Sequence, residues 1–267
     1  MRRLGSDVRA TLATLFRAPR PAGRRIAFPP RGHLVFGAVA AILVVAVTMA
    51  LVDARSLPEM RRLPGGLVAV FAVITDFGLS GWFLWPIGIV MIAMAIQNTG
   101  TLPHFSRGVM ASVAVRLGFV FTAIALPGLF VAIAKRLIGR ARPPFGDGSP
   151  WTYAWFVWRP EYASFPSGHA TTAFAAAVAI GALWPQARLA LWTYAILIAL
   201  SRVVITAHHP SDVVASAIVG TIGALLVRNW FAARRLGFAL TADGSVRRLP
   251  GPSWRRIKMV ARRLAAA

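Results

Sequence analysis

Residues 164–184 read SFPSGHATTAFAAAVAIGALW, and whether this stretch is a soluble core helix or a membrane span decides the fold. A polar tripeptide, Ser167-Gly168-His169, opens an apolar run that reaches Trp184, where Pro185 stops it. A helix facing hydrocarbon carries a titratable imidazole only where something uses it. The composition around it chooses the membrane. The chain has 267 residues, is 57% hydrophobic and has a mean hydropathy of +0.63, more than an ordinary soluble domain carries. It has no cysteine, so neither a disulfide nor a thiolate metal site is open to it.

Working outward, a run of about 20 apolar residues crosses a bilayer as a helix. Leu34–Val52 is a clear first span, flanked by Arg31, Asp53 and Arg55. The apolar stretch 66–96 is too long for one untilted crossing and contains Asp76 and Gly-Leu-Ser-Gly at 78–81. It divides into an interfacial piece, 66–80, and a crossing at 81–97 anchored by Trp82 and Trp85. A third span covers 109–134, with Arg116 snorkelling to the near surface and Pro127-Gly128 marking a kink. A loop at 135–165, rich in Pro, Gly, Trp and Arg, leads to the fourth span at 168–184. The fifth covers 189–206 and the sixth 211–231, with Pro210 suited to the first turn of a helix. The expectation is an all-α bundle of six transmembrane helices. It occupies residues 34–232, between basic tails at 1–33 and 233–267.

The formal net charge is +22, and the excess sits at the two ends. Eight arginines precede residue 34 against Asp7 alone, and ten basic residues follow residue 227 against Asp243. Tails this basic beside hydrophobic spans stay in the cytoplasm. Six spans return both ends to one side, so count and charge agree, and nucleic acid is not the expected partner. The first apolar run begins too far in for a cleaved signal peptide. The expected location is a bacterial inner membrane. Residues 7–17 place Val8, Leu12, Leu15 and Phe16 at helical spacing, and 253–264 place Trp254, Ile257, Val260 and Leu264 likewise. Both suit amphipathic helices on anionic lipid headgroups.

This topology sends three polar sets to the outer side: Lys135 with Arg142-Pro143; Pro166-Ser167-Gly168-His169; and Ser201-Arg202 with His208, His209 and Asp212. One ammonium and two guanidinium groups suit a tetrahedral oxyanion such as phosphate. Ser167 and Gly168 precede a helix start, whose N–H groups favour an anion, and glycine lets that anion approach the backbone. Of two imidazoles, one attacks phosphorus and the other protonates the leaving oxygen. A nucleophilic histidine needs a carboxylate at its other nitrogen. Asp212 is the acid near 208 and 209, so His208 or His209 is the nucleophile and His169 the general acid. The outer acids Asp53, Glu59, Asp76, Asp147, Glu161 and Asp212 are scattered without ligand spacing, and the basic residues around the histidines repel cations. No metal or other cofactor is therefore expected.

These residues resemble the type 2 phosphatidic acid phosphatase (PAP2) family, whose signature runs K-x6-R-P, P-S-G-H, S-R-x5-H-x3-D. Lys135 to Arg142-Pro143, Pro166 to His169, and Ser201-Arg202 with His208 and Asp212 match every position. The resemblance implies His208 as the nucleophile, passing through a phosphohistidine, with Asp212 orienting it and His169 protonating the leaving group. It implies Lys135, Arg142, Ser167, Gly168 and Arg202 as phosphoryl ligands, and catalysis without a metal. The expected activity is hydrolysis of a phosphomonoester or diphosphate on a membrane lipid. Phosphatidic acid, phosphatidylglycerol phosphate, a polyprenyl diphosphate such as undecaprenyl diphosphate, and lipid A phosphate all fit. A non-hydrolytic lipid-phosphate binder or transporter is the alternative from another class; the two histidines favour the enzyme. Outside the signature, His209 is expected to be a structural neighbour. Arg136 and Arg140 are expected to add field for an anionic headgroup or to face lipid phosphates. Asp76 either lines the entrance or sits in an interfacial turn, and Ser201 either bonds in the pocket or back-bonds in its helix. The aromatic residues 151–158 read as an interfacial belt.

Overall fold

A computed structural model describes residues 30–97, 103–145 and 149–265. The amphipathic segment expected at 7–17, and Asp147, lie outside the described residues. In chain order the helices are α1 (Arg31–Leu51), α2 (Asp53–Arg61), α3 (Gly65–Asp76), α4 (Gly81–Ile96), α5 (His104–Ile138), α6 (Gly168–Leu183), α7 (Arg188–Val204) and α8 (Pro210–Ala233). A short antiparallel hairpin, β1 (Phe238–Leu240) and β2 (Val246–Arg248), precedes α9 (Trp254–Ala265). The fold is all-α apart from this hairpin. Among the described residues five helical segments are long and apolar enough to cross a membrane, with α3 and α4 counted together, and α6 is a shorter apolar helix.

The differences among these helices follow from what each one faces. Helix α1 has mean hydropathy 2.8 and no buried residue, the pattern of a helix whose whole surface meets lipid. Helix α6 has 16 residues, about 24 Å at 1.5 Å per residue and short for a ~30 Å hydrocarbon core. It can be short because it lies inside the protein: from Ala170 to Ala177 every residue is buried. Helix α5 runs unbroken through Pro127 for 35 residues, about 52 Å, far more than one untilted crossing needs.

The described residues form two compact units. One holds 30–82 and 123–225. In it α6 packs against α7, and α7 also meets α3 and α2, around a core of Ala170, Ala173, Phe174, Ala177, Ala195, Ile198 and Val213. Small residues let the helices approach closely. A Cβ on Gly220 of α8 would stand 2.5 Å from the Thr171 carbonyl oxygen of α6, and one on Gly223 would stand 2.5 Å from the Pro127 ring. The expected interfacial piece at 66–80 is the separate helix α3, ended by a turn at 77–80.

The other unit holds 83–122 and 226–265. Phe119 is fully buried and meets Phe231 and Phe238 edge-on, with centroids 5.4 and 4.8 Å away. Here the reading of Arg116 as a snorkelling residue is corrected. Its guanidinium donates to the carbonyls of Leu249 and Pro250 at 3.0 and 2.9 Å, and to Ser112, so it ties the chain after the hairpin to α5. The helix expected at 253–264 is α9. Its apolar stripe of Ile257, Val260 and Leu264 packs on Val109 and Met110 of α5, while Arg255, Arg256, Lys258, Arg262 and Arg263 stay exposed.

Candidate active site

Four backbone devices in the first unit deliver the polar side chains. Lys135 stands in the last turn of α5. The helix then stops at Gly139, whose φ of 62° lies in the left-handed region. A Cβ there would fall 1.6 Å from the Ala154 carbonyl oxygen, so only glycine fits. That turn sends Arg140 and Arg142 inward. The loop is then knitted by Ala154 N–H to Gly139 O (2.7 Å), Ala141 N–H to Thr152 O (2.9 Å), Arg142 N–H to Glu161 O (2.9 Å) and Ser164 N–H to Arg140 O (3.0 Å). Ser167 is the N-cap of α6, with Gly168 and His169 in its first turn. Arg202 lies in the last turn of α7, and its carbonyl accepts from the N–H groups of Ala207 and His208. Pro210 opens α8 and puts Asp212 in its first turn.

These devices bring seven signature side chains and the backbone of Gly168 together. The Lys135 ammonium lies 3.5 Å from the position a Cβ on Gly168 would take. His169 is within electrostatic reach of His208, Lys135, Arg142 and Arg202. Arg202 donates to Thr75 Oγ1 at 2.7 Å. The Ser167 hydroxyl and the Nε atoms of Arg142 and Arg202 are buried without a hydrogen-bond partner. Buried donors left open in this way are costly, and here they belong to groups suited to phosphoryl oxygens. Among the described residues no three His, Cys, Asp or Glu side chains gather as a metal site would require.

His208 and Asp212 are almost completely enclosed, at 2% and 0% exposure. Nδ1 of His208 lies 3.5 Å from Asp212 Oδ2, an approach longer than a formed hydrogen bond. Burial pushes the His208 imidazole down to about 4; Asp212 works against that shift, and the Arg202 and Arg142 charges add to it. At neutral pH the imidazole is therefore uncharged, with a lone pair available. The Arg142 guanidinium is lowered by burial and by Arg136, yet stays charged at any ordinary pH.

The outermost ring of the site holds residues whose part the sequence did not disclose. Arg140, expected to add field for a headgroup or to face lipid phosphates, is fully buried. Its two terminal nitrogens bind Asp53 Oδ2 at 2.7 Å and Asp212 Oδ1 at 2.6 Å. Asp53 sits at the start of α2, and Ser211 donates to it from both its N–H (2.9 Å) and its hydroxyl (2.5 Å). Ser164 Oγ donates to Asp212 Oδ2 at 2.5 Å, and the His209 N–H donates to the same oxygen at 2.9 Å. Nothing in the sequence distinguishes Asp53 from any acid at the edge of a span. Gly78 is a second such residue: its missing Cβ would strike Ile198 at 2.7 Å and the His169 ring at 3.0 Å.

Other expectations resolve simply. Ser201 back-bonds to the Ile198 carbonyl at 2.6 Å. Asp76 is exposed at the end of α3, where its carbonyl accepts from the Trp82 indole. His209 is buried at 1% exposure. Trp151, Trp155, Phe156 and Trp158 are more than half exposed, as a belt at the interface would be.

The sequence profile described as "PAP2 superfamily" matches residues 116–236. The chain is 33% identical over 205 residues to the lipid A 1-phosphatase of Rhizobium etli, an alignment covering 76% of this chain and 87% of that protein. It is 30% identical over 203 residues to the decaprenylphosphoryl-5-phosphoribose phosphatase of Mycobacterium tuberculosis, covering 74% and 90%. Among solved structures, the first transmembrane PAP2 type phosphatidylglycerolphosphate phosphatase from Bacillus subtilis superposes with a TM-score of 0.49 at 21% identity, covering 71% of this chain and 92% of that one. The identity and coverage of the curated relatives, on a chain with five long apolar helices, place it in the PAP2 superfamily as a multi-pass membrane lipid phosphatase.

Proposed function

We propose that the chain hydrolyses a phosphate monoester on a membrane lipid at the outer face of a bacterial inner membrane, with His208 as nucleophile, and that a lipid A 1-phosphate is the first substrate to test. The observation that carries the mechanism is the set of buried, unpartnered donors from Ser167, Arg142 and Arg202 around two imidazoles. Lys135, Arg142, Arg202, the Ser167 hydroxyl and the start of α6 hold the phosphoryl oxygens. The His208 Nε2 lone pair forms a bond to phosphorus as the bond to the leaving oxygen breaks, and that oxygen takes a proton from His169. Asp212 faces Nδ1 of the resulting cationic ring. Water then attacks phosphorus and gives a proton to His169, and the P–N bond breaks to release phosphate. No metal enters these steps. The basic tails lie in the cytoplasm against anionic headgroups.

Two features support a lipid as the carrier and lipid A as the first choice. An apolar groove of about 540 Å³ runs along α7 from Leu189 to Ile198, with Ile74 of α3 and Phe77 of the turn after it on its other wall. Its Ile198 end lies against Gly78, which also backs His169, so a hydrocarbon tail in the groove would lie close to the headgroup site. The lipid A 1-phosphatase of Rhizobium etli supplies the longest match to this chain among the relatives described above.

The test is phosphate release by the purified protein in detergent, with chelator present. The substrates are lipid A, phosphatidic acid, phosphatidylglycerol phosphate and undecaprenyl diphosphate. Lipid A turnover that exceeds the others and disappears in both His208→Ala and His169→Ala is the expected result. Turnover surviving in either variant removes that residue from the mechanism. A preference for a glycerolipid or the diphosphate removes lipid A.

A further inference from the structure

The Asp53–Arg140 pair is the largest buried charged feature that the mechanism above leaves unused. Arg140 spends all five of its N–H donors inside the protein. Nε and Nη2 reach the Pro150 carbonyl at 3.0 and 2.9 Å. Nη2 also binds Asp53, and Nη1 binds Ser211 Oγ at 2.8 Å and Asp212 Oδ1 at 2.6 Å. Burying an ion group is costly, and a lone guanidinium would be balanced by a lone carboxylate. Here two carboxylates share one guanidinium, all of them at 0–1% exposure. Burial lowers the basicity of Arg140, but Asp212 and Asp53 outweigh it and raise its pKa, so its charge is fixed. The cluster therefore keeps one net negative charge, and the oxygen of Asp212 not taken by Arg140 faces His208.

We propose that Asp53, acting through Arg140, is a positioning residue for the nucleophile: it holds the carboxylate of Asp212 in place and leaves the cluster one negative charge to match the cationic ring formed when His208 is phosphorylated. The proposal rests on His208 being the nucleophile. Neutral His208 then sits beside the surplus charge without pairing to it, which agrees with the long 3.5 Å approach to Asp212. Bonding of Nε2 to phosphorus makes the ring cationic, and Nδ1–H gains a full counter-charge where it already points. Without Asp53, Arg140 would cancel Asp212, and the new cation would meet a neutral pair among positive neighbours. Those positive neighbours are Arg202 from α7, Arg142 from the loop after α5 and Lys135 on the substrate side, with His169, which has given its proton to the leaving oxygen by then, beside them. Asp53 thereby makes the junction of α1 and α2 part of the working site, although it is 87 residues from Arg140.

Charge variants separate this role from mere support. Asp53→Asn removes the surplus negative charge, Arg140→Gln adds one, and the double variant restores the original balance. The measurement is the acid limb of kcat/KM between pH 3 and 7, with kcat recorded alongside and helical content checked by circular dichroism. Asp53→Asn is expected to move the limb to lower pH by about half a unit and to cut kcat about tenfold. Arg140→Gln should move the limb upward, and the double variant should return it towards the wild-type position. Ser211→Ala, which removes a bond but no charge, should leave the limb in place. If Arg140→Gln does not fold, Asp53→Asn decides alone: a limb at the wild-type pH overturns the proposal whatever happens to stability. Failure of the nucleophile assignment is seen separately, as an acid-labile phosphoenzyme that persists in His208→Ala.

Discussion

Gly139 shows how much of the site depends on single backbone positions. Its left-handed φ and its contact with Ala154 turn the chain inward after α5. Gly139→Ala is expected to cost at least ~1–3 kcal/mol from the backbone alone, read as a lower unfolding temperature in detergent, with phosphatase activity lost as Arg140 and Arg142 leave the site. His208 carries a pH prediction. Its ring is depressed from the ordinary imidazole value of 6.5 to about 4, so the neutral form that the proposed mechanism needs persists as pH falls and is lost only below that lower value. The acid limb of wild-type kcat/KM should therefore lie near pH 4 rather than in the usual imidazole range, measured at saturating detergent. At this scale the gathering of the signature residues was legible, because their spacing and residue types match one pattern. Asp53, Arg140 and Gly78 were not. An acid at the edge of a span and an arginine in a basic loop are ordinary until tertiary contact joins them, and a glycine gives no hint of the imidazole behind it.

At the scale of elements, hydropathy located the spans to within a few residues at most ends, because a lipid-facing helix has to be apolar along its whole length. It failed at the first half of α5. Arg116 reads as a charge in hydrocarbon, but α5 is longer than one untilted crossing needs, and Arg116 holds carbonyls of a segment more than 130 residues away. A pairing that distant leaves no local pattern. Likewise the stripe on α9 was visible, but which surface it meets was not: Val109 and Met110 take it. Arg116→Ala removes the bonds to Leu249 and Pro250. Amide hydrogens from the hairpin through α9 should then exchange about tenfold faster, consistent with the loss of one to two charged hydrogen bonds. Those of α6 should be unaffected. Equal acceleration in both would contradict the latch.

For the whole molecule, the basic ends and the count of spans predict that residues near the hairpin lie in the cytoplasm and the aromatic loop outside. The natural absence of cysteine makes the test clean. In intact cells a membrane-impermeant maleimide should label Trp151→Cys and not Ala242→Cys, and labelling should reverse in inverted vesicles. Equal labelling of both in intact cells would overturn the orientation. The contact of Gly220 with the Thr171 carbonyl has one more consequence. It sets the gap between the helix that begins beside His169 and the helix that begins beside Asp212 at the width of a hydrogen atom. A spacing held that tightly cannot widen for a bulkier sugar or glycerol group. A headgroup too bulky for that spacing therefore has to be accommodated by the loops that lead into these two helices, at 149–167 and 205–209, with the two helices left as they are.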